Sequence, residues 1–223
     1  LDGGPVAVAA AGRTDAGVHA LGQVASFALA RDIDAATLVR ALNFHLPAAV
    51  RAVEAHQTDD SFHARFSART KTYRYQIWNG PLMPPMLRAY SWHVPPPALD
   101  VGAMQLAAQR LEGAHDFAAF QSVGTSVPHT TRTITSSTVE SRGGDALGPA
   151  AGLDAAAGSL ICYEITGDGF LRHMVRAIAG TLVEIGRGQR DPASMADVLA
   201  SADRARAGRT APAEGLCLVR VAY

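Results

Sequence analysis

Cysteine is nearly absent: the 223 residues contain two, Cys162 and Cys217. Both sit in apolar, strand-like runs and fit no metal-ligand spacing, which argues against a disulfide scaffold or a zinc module and for buried, reduced thiols. No apolar run approaches the ~20 residues needed to span a bilayer, and no segment reads as a signal peptide, so a cytoplasmic protein without membrane association is expected. The eight histidines include no HExxH or other paired spacing, and no metal is expected. Lysine is also scarce. Of the 20 basic residues all but Lys71 are arginine, and 20 acidic residues balance them to a formal net charge of zero. Neutrality neither demands nor excludes an anionic partner. Local charge is less even: residues 61–76 carry Arg65, Arg69, Lys71 and Arg74 with no acid, and residues 169–190 carry Arg172, Arg176, Arg187 and Arg190 against Glu184. Stripes of this kind suit phosphate contacts even on a neutral chain.

What is present is apolar content, 48% of the chain, enough for one large domain or two smaller ones. From residue 70 onward the pattern predicts a strand over 70–78, a helix over 98–111 after three prolines, and strands over 133–141 and 159–166. It continues with a helix over 170–185, capped by Asp168 or Gly169 and stopped at Gly186, a short helix near 192–201, and a strand over 216–221. Residues 142–158, rich in Gly and Ala, read as a mobile insertion. The order β-α-β-β-α-β is that of a ferredoxin-like unit. The first part reads as strands over 5–10 and 23–29, a helix over 34–43 and a strand over 50–56. That is the same unit without its first strand and helix. The chain also begins at Leu1 rather than Met, so a preceding segment is expected. Two related halves are therefore predicted, 1–57 truncated and bearing an acidic loop, and 58–223, with the join near residues 57–68.

The chemistry concentrates in residues 11–20, Ala-Gly-Arg-Thr-Asp-Ala-Gly-Val-His-Ala. Asp15 is the single carboxylate within ten residues on either side, at the tip of a hairpin connection between apolar stretches. It is either an Asx-turn residue of a tight turn or a nucleophile or general base at a cleft edge. Arg13 alternates to the same side in an extended backbone and suits a phosphate. Arg176 lies on a helix that is otherwise strongly apolar, where an arginine more often has a carboxylate partner than not, and Asp15 is a candidate for it. Arg172, four residues earlier, shares its face in a helix. Tyr73 and Tyr75 flank Arg74 on a strand, so both rings lie on one face and the guanidinium on the other. They are either core aromatics or a stacking platform for a base. Phe62, His63, Ala64, Arg65 and Phe66 interleave aromatic and basic residues, as an RNA contact or an edge strand packed by two Phe would.

Taken together, residues 12–20, 62–75, 173–176 and 211–216 (Ala-Pro-Ala-Glu-Gly-Leu) resemble the tRNA pseudouridine synthase A family in order and spacing across nearly the whole chain. The resemblance implies an α+β fold of two ferredoxin-like (RRM-like) half-domains forming a continuous antiparallel sheet with helices on one face. It implies isomerisation of uridine to pseudouridine at positions 38 to 40 of the tRNA anticodon stem-loop, by a homodimer without cofactor or metal. By the same resemblance Asp15 is the catalytic carboxylate, Arg176 its partner, and Tyr73 the ring that stacks on the uracil. Arg13 helps displace the target base, Leu216 packs beside it, and Phe62–Phe66 and Arg132 contact the tRNA. The family's opening strand, with its Tyr-Asp-Gly and Gly-Trp-Gln motifs, is not found here.

Two other classes fit some of these features. An Asp-nucleophile phosphotransferase needs a parallel sheet and further carboxylates around Mg²⁺, whereas the strands here pattern as antiparallel and the acids are scattered. A non-catalytic RRM-like RNA-binding module, or an inactive fragment of a synthase, accounts for the aromatics and arginines but gives Asp15 no task.

Overall fold

Period-two patterning and β-branched residues are densest after residue 70, and the main sheet lies there. The computed structural model describes residues 4–122, 124, 127–142 and 158–223. In chain order the elements are β1 (Ala9–Ala10), β2 (His19–Ala20), β3 (Ala25–Ser26), α1 (Ala35–His45), β4 (Thr70–Asn79), β5 (Trp92–Val94), α2 (Val101–Gln109), β6 (Gly113–Asp116), β7 (Thr131–Arg142), β8 (Ser159–Gly167), α3 (Met174–Gly186), α4 (Ser194–Ser201) and β9 (Leu216–Ala222). The chain forms two compact units, 1–12 with 24–67 and 13–23 with 68–223.

In the first unit β1 and β3 pair antiparallel, Ala9 with Ser26 and Ala10 with Ala25, as a two-stranded sheet of their own. Asp34 caps α1 by accepting from the Thr37 backbone N–H at 2.9 Å. Strands were expected over 5–10, 23–29 and 50–56 within one continuous sheet. The first two shrink to two residues each, and none forms over 50–56, where the Ala52 backbone donates to and accepts from the Asn43 side-chain amide, both at 2.8 Å. Two-residue strands of Ala and Ser offer little apolar surface, and α1 buries none of its residues, so nothing pays for a longer ladder.

The second unit holds a seven-stranded sheet in the order β2-β9-β4-β8-β7-β6, with β5 beside the end of β4. Its centre, β9-β4-β8-β7, is antiparallel throughout. Two parallel additions depart from the all-antiparallel expectation: β2 on β9, and β5 on β4. Residues 80–91 between β4 and β5 supply the dozen or so residues that a parallel return requires. One face of the sheet carries Tyr73, Tyr75, Ile77, Ile161, Tyr163 and Ile165, which join Met174, Ile178 and Leu182 of α3 and Met104 of α2 in the main core. Trp78, Leu160 and Cys162 form a smaller cluster with Leu87. Both cysteines are free thiols, and burial raises the pKa of each.

Helix boundaries shift for physical reasons. α2 starts after Asp100, whose carboxylate accepts from the Ala103 N–H at 2.9 Å, rather than directly after the prolines. α3 starts at Met174 rather than near 170, because Asp168 is occupied elsewhere: its backbone and carboxylate both bond Thr133 of β7. The helix ends at Gly186, one residue beyond the expected Ile185, and Gly188, at φ +69°, donates to the Ile185 carbonyl. The insertion expected over 142–158 lies, but for its ends, outside the described residues. Among the described residues no helix is long and apolar enough to cross a membrane.

Candidate active site

Asp15 opens a β-turn in which the Val18 N–H bonds the Asp15 carbonyl at 3.0 Å. Gly17, at φ +85°, has the positive φ that a type II turn demands of its third residue. The chain then joins the main sheet as β2, His19 opposite Cys217 and Ala20 opposite Leu218. Gly22 follows, where a Cβ would come within 2.5 Å of the Val219 carbonyl oxygen, so the return strand lies flat on β9. The acidic loop is thus pinned to the sheet edge on its C-terminal side. It lies, as expected, in the connection between the antiparallel strands β1 and β3, and residues 13–23 group with the second unit.

The partner comes from α3. Arg176, with 15% of its side chain exposed, places Nη1 2.9 Å from Asp15 Oδ2, and the carboxylate is 37% exposed. A largely buried guanidinium needs such a partner, and a hydrogen bond between two charged groups is stronger than a neutral one. Arg176 Nε also donates to the Ala211 carbonyl at 2.7 Å, and the Ala211 N–H returns a bond to the Arg176 carbonyl at 3.0 Å. Residues 211–216 therefore serve as a brace: Tyr75 donates its hydroxyl to Pro212, and Gly215 lets the Tyr75 ring approach where a Cβ would stand 2.6 Å from it.

His173 is the site member that sequence reasoning missed. Its Nε2 lies 3.0 Å from the same Asp15 Oδ2, and its Nδ1 bonds the Ser122 hydroxyl. The available signal was its spacing, three residues before Arg176. Nothing in the sequence shows that its backbone is left-handed, at φ 61°.

Tyr73 is on the core face of β4, 9% exposed, with its ring edge-on to Phe170 at 5.0 Å between centroids. Burial first, and the Asp15 charge second, push its pKa up to about 12. The phenol is therefore a neutral donor beside the carboxylate, and no residue among those described bonds its hydroxyl. Arg74 points to the opposite face and pairs with Glu164 at 2.8 Å, as alternation predicts. Arg13 is exposed and has no hydrogen-bond or ion-pair partner among the described residues.

Leu216 is a core residue opposite Tyr75 across β4 and β9. Arg132 bonds the carbonyls of His129 and Thr131, and lies over Gly169, where a Cβ would meet its Nε at 3.1 Å. Arg172 precedes α3, is exposed, and does not share a helix face with Arg176. Phe62, His63, Ala64, Arg65 and Phe66 belong to the first unit and form a turn rather than an edge strand: His63 Nδ1 accepts from the backbones of Arg65 and Phe66. Phe66 is 76% exposed, with the Arg65 guanidinium 5.5 Å from its ring centroid. Among the described residues no three His, Cys, Asp or Glu side chains are grouped as a metal site requires.

The site thus gathers a half-exposed carboxylate paired with an arginine and a histidine, and a buried phenol coupled to it. Comparison with known proteins bears on its substrate. The sequence pattern of a family described as tRNA pseudouridine synthase matches residues 107–223. Over all 223 residues the chain is 44% identical to tRNA pseudouridine synthase A of Moorella thermoacetica, covering 84% of that protein. The chain belongs to the tRNA pseudouridine synthase A family. It is equally similar to the Myxococcus xanthus member, 44% identical over 100% of this chain and 78% of the relative. With the Shouchella clausii member it shares 45% identity over 99% of its length and 78% of the relative. The acidic loop lies outside the span matched by the family pattern but inside all three pairwise matches.

Proposed function

We propose that the protein converts uridine to pseudouridine in tRNA, with Asp15 as the catalytic carboxylate. The observation that carries this reading is the Asp15–Arg176 pair: the one acid of its loop is met by the one arginine of a buried helix face, 2.9 Å away. The target nucleotide must first leave the stack, at a cost of a few kcal/mol that stacking and phosphate contacts offset. The N1–C1′ bond then breaks, the uracil turns, and a C5–C1′ bond forms. The C5 proton is released to solvent and N1 gains one, so the change is an isomerisation with no redox partner. Asp15 serves as nucleophile at the sugar or the base, or as base at C2′; each route needs an ionised carboxylate.

The same reading assigns Tyr73 to the flipped base, Arg13 to its displacement, and Leu216 to the wall beside it. It assigns Arg132 and the 62–66 turn to the tRNA backbone, where Arg65 over an exposed Phe66 suits stacking and phosphate contact. The anticodon stem-loop at positions 38 to 40, a homodimer and a cytoplasmic location complete the proposal. So does the division into ferredoxin-like halves, 1–57 and 58–223. The antiparallel order β9-β4-β8-β7, with α2 and α3 on one face, supports the second half.

Tritium release from tRNA labelled as 5-³H-uridine tests this directly, because only base isomerisation frees the C5 label. Release is expected from a tRNA with uridine at 38, 39 or 40. A transcript with cytidine at all three should release none, and equal release from both would overturn the assignment to these positions.

A further inference from the structure

We propose that His173 is a positioning residue, held by Ser122, that fixes which oxygen of Asp15 is free to react; this rests on the reading of Asp15 as the reacting carboxylate. Two donors converge on one atom. Arg176 Nη1 and His173 Nε2 both reach Oδ2, at 2.9 and 3.0 Å, while among the described residues none bonds Oδ1. A carboxylate held by one donor can swing about its terminal torsion, which is broad. A second donor on the same oxygen removes that freedom and leaves Oδ1 as the exchangeable face.

His173 gives up an ordinary role to do this. It stands at the N-cap of α3, where a side chain commonly accepts from the first-turn amides, yet it makes no capping bond. Its backbone is left-handed, at φ 61°, a conformation uncommon for a residue other than glycine. The ring is turned instead to Asp15 on one side and Ser122 on the other. A carboxylate oxygen accepts, so Nε2 is the donor to Oδ2, and Nδ1 is left to bond the Ser122 hydroxyl. The Ser122 N–H also donates to the Arg172 carbonyl at 3.2 Å, which fixes the serine to the residue before the histidine.

The test compares His173→Asn with His173→Gln. Asn tolerates left-handed backbone and is a strong N-cap, but it is too short to reach Asp15. Gln is a poorer cap whose amide reaches to about the place of Nε2. Positioning predicts that His173→Asn loses roughly 10–100-fold in kcat with KM for tRNA unchanged, and that His173→Gln restores most of it whatever its thermal midpoint. Ser122→Ala should show a smaller loss, also in kcat alone. A purely structural role predicts the reverse ranking, with Asn at least as active as Gln, and that result overturns the proposal, as does wild-type kcat in His173→Asn. If Ser122→Ala matches wild type, Ser122 has no part. Absence of tritium release from the wild-type chain would strike the reaction itself, and is distinguishable from all of these.

Discussion

Each site residue is defined by how its polar atoms are used. Arg176 divides its donors between a backbone carbonyl and Asp15, so the charge that neutralises the carboxylate also ties it to the brace at Ala211. Tyr73 is neutral because burial and the neighbouring carboxylate both oppose its ionisation, pushing it up to about 12 from 10.0. A raised folded-state value means that the stabilisation from the buried neutral phenol is complete below pH 10 and is lost as pH climbs toward 12. Tyr73→Phe should therefore flatten the fall in stability over that window, as read by denaturant midpoints across pH, and remove a phenol titrating near 12 from the absorbance at 295 nm. An arginine on an apolar helix face pointed to a carboxylate partner and made Asp15 a candidate, and the family resemblance named the pair. The faces of Tyr73 and Arg74 followed from strand alternation. His173 was not legible: its role depends on a left-handed backbone and on Ser122, far away in sequence.

At the scale of elements, α3 is the organiser. A segment crosses it so closely that a Cβ on Gly180 would stand 1.8 Å from the Arg209 carbonyl oxygen. Beside it Thr181 donates its hydroxyl to Ala177 and accepts the Gly208 N–H at 2.8 Å. Gly180→Ala must push the crossing away, an overpacking that costs about 1–3 kcal/mol. It should lower the thermal midpoint and, because the crossing leads to Ala211, reduce turnover as well; a melt and a release assay on the same preparation check both. The central strands and the helices α1, α2 and α3 were readable from their patterning. The ends of α3 were not, since Asp168 resembles a cap until β7 is known to claim it. The first unit's strands were over-read, because the runs over 5–10 and 23–29 are apolar but mostly alanine.

For the whole molecule, a formal net charge of zero means that any hold on RNA comes from individual arginines. Arg13, exposed and unpartnered among the described residues, is expected to contribute fully, whereas Arg74 is already neutralised by Glu164. Arg13→Ala should weaken tRNA binding and reduce the slope of log K against log salt by about 1, measured by filter binding across a salt series. The parallel pairing of β2 with β9, which carries residues 13–23 into the second unit, could not be foreseen from local pattern, because a two-residue strand has none. It nevertheless places the acidic loop where α3 can meet it. The most direct test is tritium release by Asp15→Asn beside wild type, on 5-³H-uridine tRNA, with tRNA affinity measured in parallel. No detectable release and near wild-type binding are expected for the variant. Substantial release by Asp15→Asn would contradict the assignment of Asp15 as the catalytic carboxylate.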